Sequence, residues 1–260
     1  MQSFWSHWAW PLATSLLGFL FTGLVLRQWF QRRKPHQLAW TIGLLFYAVA
    51  ALMEFFSEYS GEWDPTVYRI YIVLAASLVA FLGLGTLYLL LPRRLWGHVY
   101  LGFTLVCLVV FFVGSLTTTL VADKLVPGIT VGGQALGPSL SFPRMMSLFF
   151  NIPGAVFLIG GALLSIWRFS RKREYTYRMW ANVLIALGAI VIAYVGSRAR
   201  LGNTAGLYPA EMFASALLLA GFLLAGTLQK GVKALQSHRQ PEAATRPAKD
   251  DSSRRTRRKR

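Results

Sequence analysis

This chain of 260 residues has one cysteine, Cys107, and four scattered histidines. A single cysteine excludes an internal disulfide and a thiolate metal site. His7, His36, His98 and His238 show no metal or haem spacing. No cofactor motif is present, and there is no His–acid or Ser–Lys pairing of the kind that intramembrane catalysis uses. An enzyme is therefore the last reading, and neither cofactor nor metal is expected. Charge is also scarce, at 14% of residues, against about a quarter in a soluble domain. Strand-length alternation of apolar and polar residues is missing, which argues against a transmembrane barrel. Met1 to Trp10 contains no Lys or Arg, so the charged start of a cleaved signal peptide is lacking and the first apolar run is expected to be retained.

What remains is 55% hydrophobic. Apolar runs fall near 10–28, 38–57, 68–91, 98–121, 146–167, 178–197 and 208–228. Each is close to the ~20 residues that cross a hydrocarbon core of about 30 Å as a helix. The expected fold is an all-α integral membrane protein: a seven-helix domain over 1–229 and a tail over 230–260. The tail is rich in Pro, Ser, Ala, Arg and Lys. It has too little apolar surface to fold alone and is expected to be disordered.

Charge sets the orientation. Arg27, Arg32, Arg33 and Lys34 follow the first span. Arg93 and Arg94 follow the third, and Arg168, Arg171, Lys172, Arg173 and Arg178 follow the fifth. With the tail, these hold most of the 27 basic residues, and an odd span count puts them all on one side. Glu58, Glu62, Asp64 and Asp123 lie on the other. Basic loops stay cytoplasmic, so the amino terminus is expected outside and the carboxyl terminus inside, in a plasma membrane of prokaryotic style. The net charge of +17 is then topological, and no nucleic-acid partner is expected. The cluster from Arg254 to Arg260 suits anionic lipid headgroups, at about 1 kcal/mol per basic residue.

Spans one to three can be laid over spans five to seven with an offset near 140. Pro11 then meets Pro153, Trp29 meets Trp167, Trp40 meets Trp180 and Tyr68 meets Tyr208. Gly85-Thr86-Leu87 meets Gly226-Thr227-Leu228. Span four is left over as a linker, which makes a 3+1+3 parallel repeat. In topology alone the plan resembles that of the SWEET sugar transporters, whose kind of repeat implies a substrate site at the interface between halves. There is no Pro-Gln pair of the PQ-loop type, and span seven has no lysine that would hold retinal as in an opsin.

Ionisable residues in a span are costly and point to function. Glu54 lies about one turn from the outer end of span two. Arg69 starts span three, Arg198 and Arg200 close span six, and Glu211 opens span seven. With Tyr68 and Tyr208, the set Glu54, Arg69, Arg198 and Glu211 is the candidate outward-facing pocket for a small polar solute or ion. The competing account is structural salt bridges at helix ends, with side chains reaching the interface. Asn151 and Pro153 in span five mark a candidate polar notch, because proline frees a backbone carbonyl. The long connection 122–143 is too apolar for a free linker. Ile129-Thr130-Val131, turning at Gly132-Gly133, is expected to form a short hairpin over the bundle. The functional expectation is a small-solute or ion transporter. The alternative is a non-transporting sensor or assembly subunit whose basic tail engages lipid or a partner protein. A homo-oligomer is compatible with both.

Overall fold

The computed structural model describes residues 5–128, 133–138, 140–171 and 176–244, with side chains described between His7 and Gly226. It is all-helical. The helices are α1 (Trp5–Arg32), α2 (Pro35–Ser60), α3 (Pro65–Leu90), α4 (Arg94–Thr117), α5 (Phe142–Ser170), α6 (Thr176–Arg200) and α7 (Leu207–Ala244). Seven helices are long and apolar enough to cross a membrane, that of α7 over Leu207–Gly226. α7 continues as helix past residue 230, where the tail is expected to begin. Residues 245–260, the expected hairpin residues Ile129 to Gly132, and Lys172 and Arg173 lie outside the described residues.

The helix ends have local causes. Proline occupies the first turn of α2, α3 and α5, where its missing N–H costs nothing. Asp64 caps α3, accepting from the backbone N–H of Thr66 at 2.8 Å and of Val67 at 2.9 Å. Gly61 closes α2 at φ +80° and returns its N–H to the Ser57 carbonyl, a left-handed turn that glycine adopts without strain. α4 stops at Thr117, short of the apolar run's end near 121. Thr118 turns its hydroxyl back to the Gly114 carbonyl at 2.7 Å and leaves the helix extended.

α1–α2, α2–α3 and α6–α7 pack as hairpins. α3 meets α5 and α1 meets α7, closing a ring of six helices, while α4 lies outside against α3 and α5. Lipid offers no hydrophobic drive for helix association, so close contact depends on small residues. Gly43 of α2 rests on the Leu78 carbonyl and Leu82 of α3, and Gly85 of α3 rests on the His36 carbonyl and Trp40. The second hairpin repeats this arrangement. Gly188 of α6 rests on the Ala214 carbonyl and Leu218 of α7, and Gly221 of α7 rests on the Ala181 carbonyl and Ile185. Where α3 crosses α5, Gly83 and Gly154 bring two backbones together. A Cβ on Gly154 would stand 2.7 Å from the Val79 carbonyl oxygen. Apolar side chains such as Leu16, Phe19, Val106, Val109 and Ile190 face outward, as the surface of a bilayer-embedded bundle requires.

Candidate functional site

The end of the bundle that carries the connection between α4 and α5 encloses a cavity of about 300 Å³ among α2, α3, α5, α6 and α7. Helical spacing of three and four residues brings its lining together. Tyr47, Ala51 and Glu54 share one face of α2; Arg144, Ser147 and Asn151 share one of α5; Ala193, Gly196 and Arg200 share one of α6. Leu136 and Gly133, from the α4–α5 connection, cover the end. Leu136 and Ala135 are fully buried. They are fixed by the bond from the Val121 N–H to the Ala135 carbonyl at 2.9 Å and by Gln134 Nε2 donating to the Ala199 carbonyl at 3.4 Å.

One side of the cavity is acidic. Glu54 is 4% exposed, and its Oε1 accepts from the Tyr71 hydroxyl at 2.7 Å. Its other oxygen has no hydrogen-bond partner among the described residues, and Glu211 of α7 lines the same side of the cavity. Below them, the Tyr47 hydroxyl donates to the Glu211 carbonyl at 3.0 Å and contacts Ser215 Oγ at 2.6 Å, which fixes α2 against α7. One turn beyond Glu54 along α2, Glu58 Oε1 accepts from the Tyr208 hydroxyl at 2.6 Å.

The other side is basic. Arg144, in the first turn of α5, is 4% exposed. Its Nη1 donates to the Gly137 carbonyl at 3.0 Å and its Nη2 to the Arg200 carbonyl at 2.6 Å. Arg200, the last residue of α6, donates through Nη1 to Ser147 Oγ at 2.7 Å and through Nη2 to the Arg144 carbonyl. None of these acceptors is a carboxylate. Arg144 Nε is buried and has no partner among the described residues.

The fold brings Glu54, Glu211 and Asn151 to this cavity, and Asn151 Nδ2 donates to the Ser147 carbonyl at 2.9 Å. Tyr208 is not in its lining and pairs instead with Glu58, one turn beyond Glu54. Tyr68 is fully buried behind the wall, packed on Trp63 and Tyr71. The expected basic partners lie elsewhere. Arg69 donates through Nη2 to the Thr118 carbonyl at 2.8 Å, closing the end of α4. Arg198 stacks over the Tyr194 ring, 5.7 Å from its centre. Arg144 and Arg200 are the basic residues of the cavity instead. The missed signal is helical phase. Arg200 shares its face with the small residues Gly196 and Ala193, while Arg198 shares its face with the exposed Tyr194. Arg144 precedes the apolar run that defines span five, yet stands one and two turns before Ser147 and Asn151.

No protein-family model matches the chain, and comparison with curated proteins and with solved structures finds no match. Length, apolarity and outward-facing side chains define a class, a polytopic helical membrane protein in contact with the lipid bilayer. Within that class, the distinguishing feature is a charged cavity at one end of the bundle.

Proposed function

We propose that this protein binds a small charge-bearing solute in the cavity and carries it across the membrane. One observation carries the reading: two carboxyls from α2 and α7 and two guanidiniums from α5 and α6 line one cavity, and none of the recorded partners of either guanidinium is an acid. Ionisable groups inside a membrane domain are retained where they meet a substrate or an ion. The positive-inside pattern of the loops supports an outer position for the cavity, with Met1 outside and the basic tail in the cytoplasm.

The packing supports two related halves, α1–α3 and α5–α7, with α4 as linker. Their shared glycine seams pair Gly43 with Gly188 and Gly85 with Gly221. At the basic end, Arg33 lies over Trp29 and Arg171 over Trp167, at 4.6 and 4.3 Å. This register departs from the sequence alignment within the hairpins. Trp40 falls on Ile185 rather than Trp180, and Gly85 on Gly221 rather than Gly226. In it, Tyr47 corresponds to Ile192, Glu54 to Ala199 and Ala75 to Glu211, and all six line the cavity. The cavity then sits on the axis between the halves, where rocking of one against the other exposes it to alternate sides.

The test is uptake into proteoliposomes that hold the purified protein, screened with charged solutes. Flux that is lost in Glu54→Gln and in Arg200→Gln supports the reading. Flux indifferent to both substitutions removes the cavity from it. A second reading, a sensor or assembly subunit, is favoured by α7, a single helix from the cavity residue Glu211 to Ala244. Deleting residues 237–260 separates the two, since transport survives the deletion and signalling through the helix does not.

A further inference from the structure

The cavity is wider in chemistry than its charges. Its lining is mostly apolar, with Ile72, Leu78, Val79, Leu148 and Ala155 below the ionisable groups. A second, wholly apolar space of about 30 Å³ shares Leu78, Val79, Ala155, Ile192 and Ala193 with it and reaches on to Leu82, Ile159 and Leu218. Charge is thus gathered at one end, and the apolar lining continues toward the middle of the bundle as far as a space about the size of one water molecule.

The wall between α5 and α6 is also part of the protein's outer face. Ile152 lines the cavity and is 57% exposed. Gly196 and Ser197 of α6 line it and are exposed as well, and a Cβ built on Gly196 meets nothing within 4 Å. These residues lie one to three turns inside helices long and apolar enough to cross a membrane.

From this geometry we infer that the ligand is a zwitterionic amphiphile admitted from the bilayer between α5 and α6. Its ammonium sits at Glu54 and Glu211, its anionic group at Arg144 and Arg200, and its hydrocarbon chain lies against the apolar part of the lining and leaves between α5 and α6. A phosphoethanolamine-type headgroup has that pairing of charges. The two Nη atoms of Arg144 hold the fold while its charge and that of Arg200 face the cavity, so binding does not require the helix ends to come apart. The ammonium supplies a cation to a wall that carries two carboxyls. An amino acid or free phosphoethanolamine offers the same charges but leaves the apolar lining uncovered. An anionic lipid covers that lining but leaves the carboxyls without a cation.

This inference rests on the cavity being a ligand site, and the experiment separates the two. Purified protein in a non-ionic detergent is titrated with lysophosphatidylethanolamine, lysophosphatidylglycerol and free phosphoethanolamine, with binding read by native mass spectrometry. The expected order is lysophosphatidylethanolamine tightest, with the chain-free headgroup weaker by more than about 100-fold, given the contribution of each buried CH₂. Glu54→Gln with Glu211→Gln weakens lysophosphatidylethanolamine by about tenfold or more, the loss of a charged hydrogen bond, and leaves lysophosphatidylglycerol unchanged. Gly196→Phe, which blocks the opening without touching a charged group, weakens both lipids. Free phosphoethanolamine binding as tightly as the lysolipid overturns the amphiphile inference and leaves the charged-solute reading standing. Equal binding of both lysolipids, insensitive to the carboxyl substitutions, also overturns it. No binding of any of the three probes to folded, monodisperse protein overturns this inference, while flux of another charged solute would still uphold the wider reading.

Discussion

Arg144 and Arg200 each donate to the other's backbone carbonyl. The first turn of α5 and the last turn of α6 are thereby joined by a reciprocal clasp, and Ser147 Oγ accepts a further bond from Arg200. A helix that ends in lipid-depth surroundings leaves its last carbonyls unsatisfied, and a guanidinium supplies several donors from one side chain. The clasp is both a cap and the positive wall of the cavity.

Because the clasp is mutual, substitutions in it will not add. Arg144→Lys and Arg200→Lys keep the charge but lose the planar fork, and each should destabilise the protein by about 1–3 kcal/mol. The double substitution should cost clearly less than the sum of the two, since loosening α5 from α6 by one substitution already weakens the bonds that the other side chain makes across the same contact. Unfolding of the four proteins in detergent measures it, and strict additivity would count against the clasp.

Tyr71→Phe removes the hydroxyl that donates to Glu54 Oε1. The expected cost is about 1–3 kcal/mol, the penalty of a buried acceptor left unmade. In Tyr71→Phe combined with Glu54→Leu, most of that cost should disappear, because both polar partners are then gone. A thermal-shift series on the three variants reads the result.

The glycine seams separate tolerated from forbidden positions. A Cβ at Gly188 would stand 2.8 Å from the Ala214 carbonyl oxygen, and one at Gly221 2.6 Å from that of Ala181. Alanine at either should cost about 1–3 kcal/mol through overpacking. Gly160 and Gly226 have nothing within 4 Å of such a Cβ, and alanine there should be neutral or stabilising by about 0.5–1 kcal/mol through helix propensity. Equal tolerance at all four sites in a melting series would refute the assigned contacts.

Gly137 sits at φ +94° and ψ −164°, and its carbonyl is an acceptor for Arg144. Side chains avoid that region, so Gly137→Ala should cost about 1–3 kcal/mol. Faster hydrogen exchange confined to residues 133–138 and the start of α5 is the expected signature. An exchange profile matching the unsubstituted protein would show that the cover does not depend on this turn.

Orientation is open to a labelling experiment on a Cys107→Ala background. Cysteine at Ser60 should react with a membrane-impermeant maleimide in intact cells, while cysteine at Trp96 should react only after permeabilisation. Labelling of both in intact cells would remove the topology on which the outer position of the cavity depends.

Much of the helical plan was legible from apolar runs alone, because a bilayer demands about 20 apolar residues per crossing whatever the sequence does otherwise. The helices run beyond those runs at most ends, since caps such as Asp64 and interfacial residues such as Trp29 and Arg33 add turns that hydropathy does not count. Glu54 and Glu211 stood out in sequence as charges in apolar surroundings. Arg144 did not, because it precedes its apolar run, and Tyr47 and Ser215 did not, because a hydroxyl in a span is unremarkable until its partner is known.

By itself, the sequence determined that this chain crosses a bilayer as helices and which loops carry its positive charge, because both follow from local composition. Which ionisable residues share a cavity was decided only by the tertiary structure. Arg198 and Arg200 differ by two positions and hence by more than half a turn, and only the packing of α6 against α5 and α7 determines which of them faces inward.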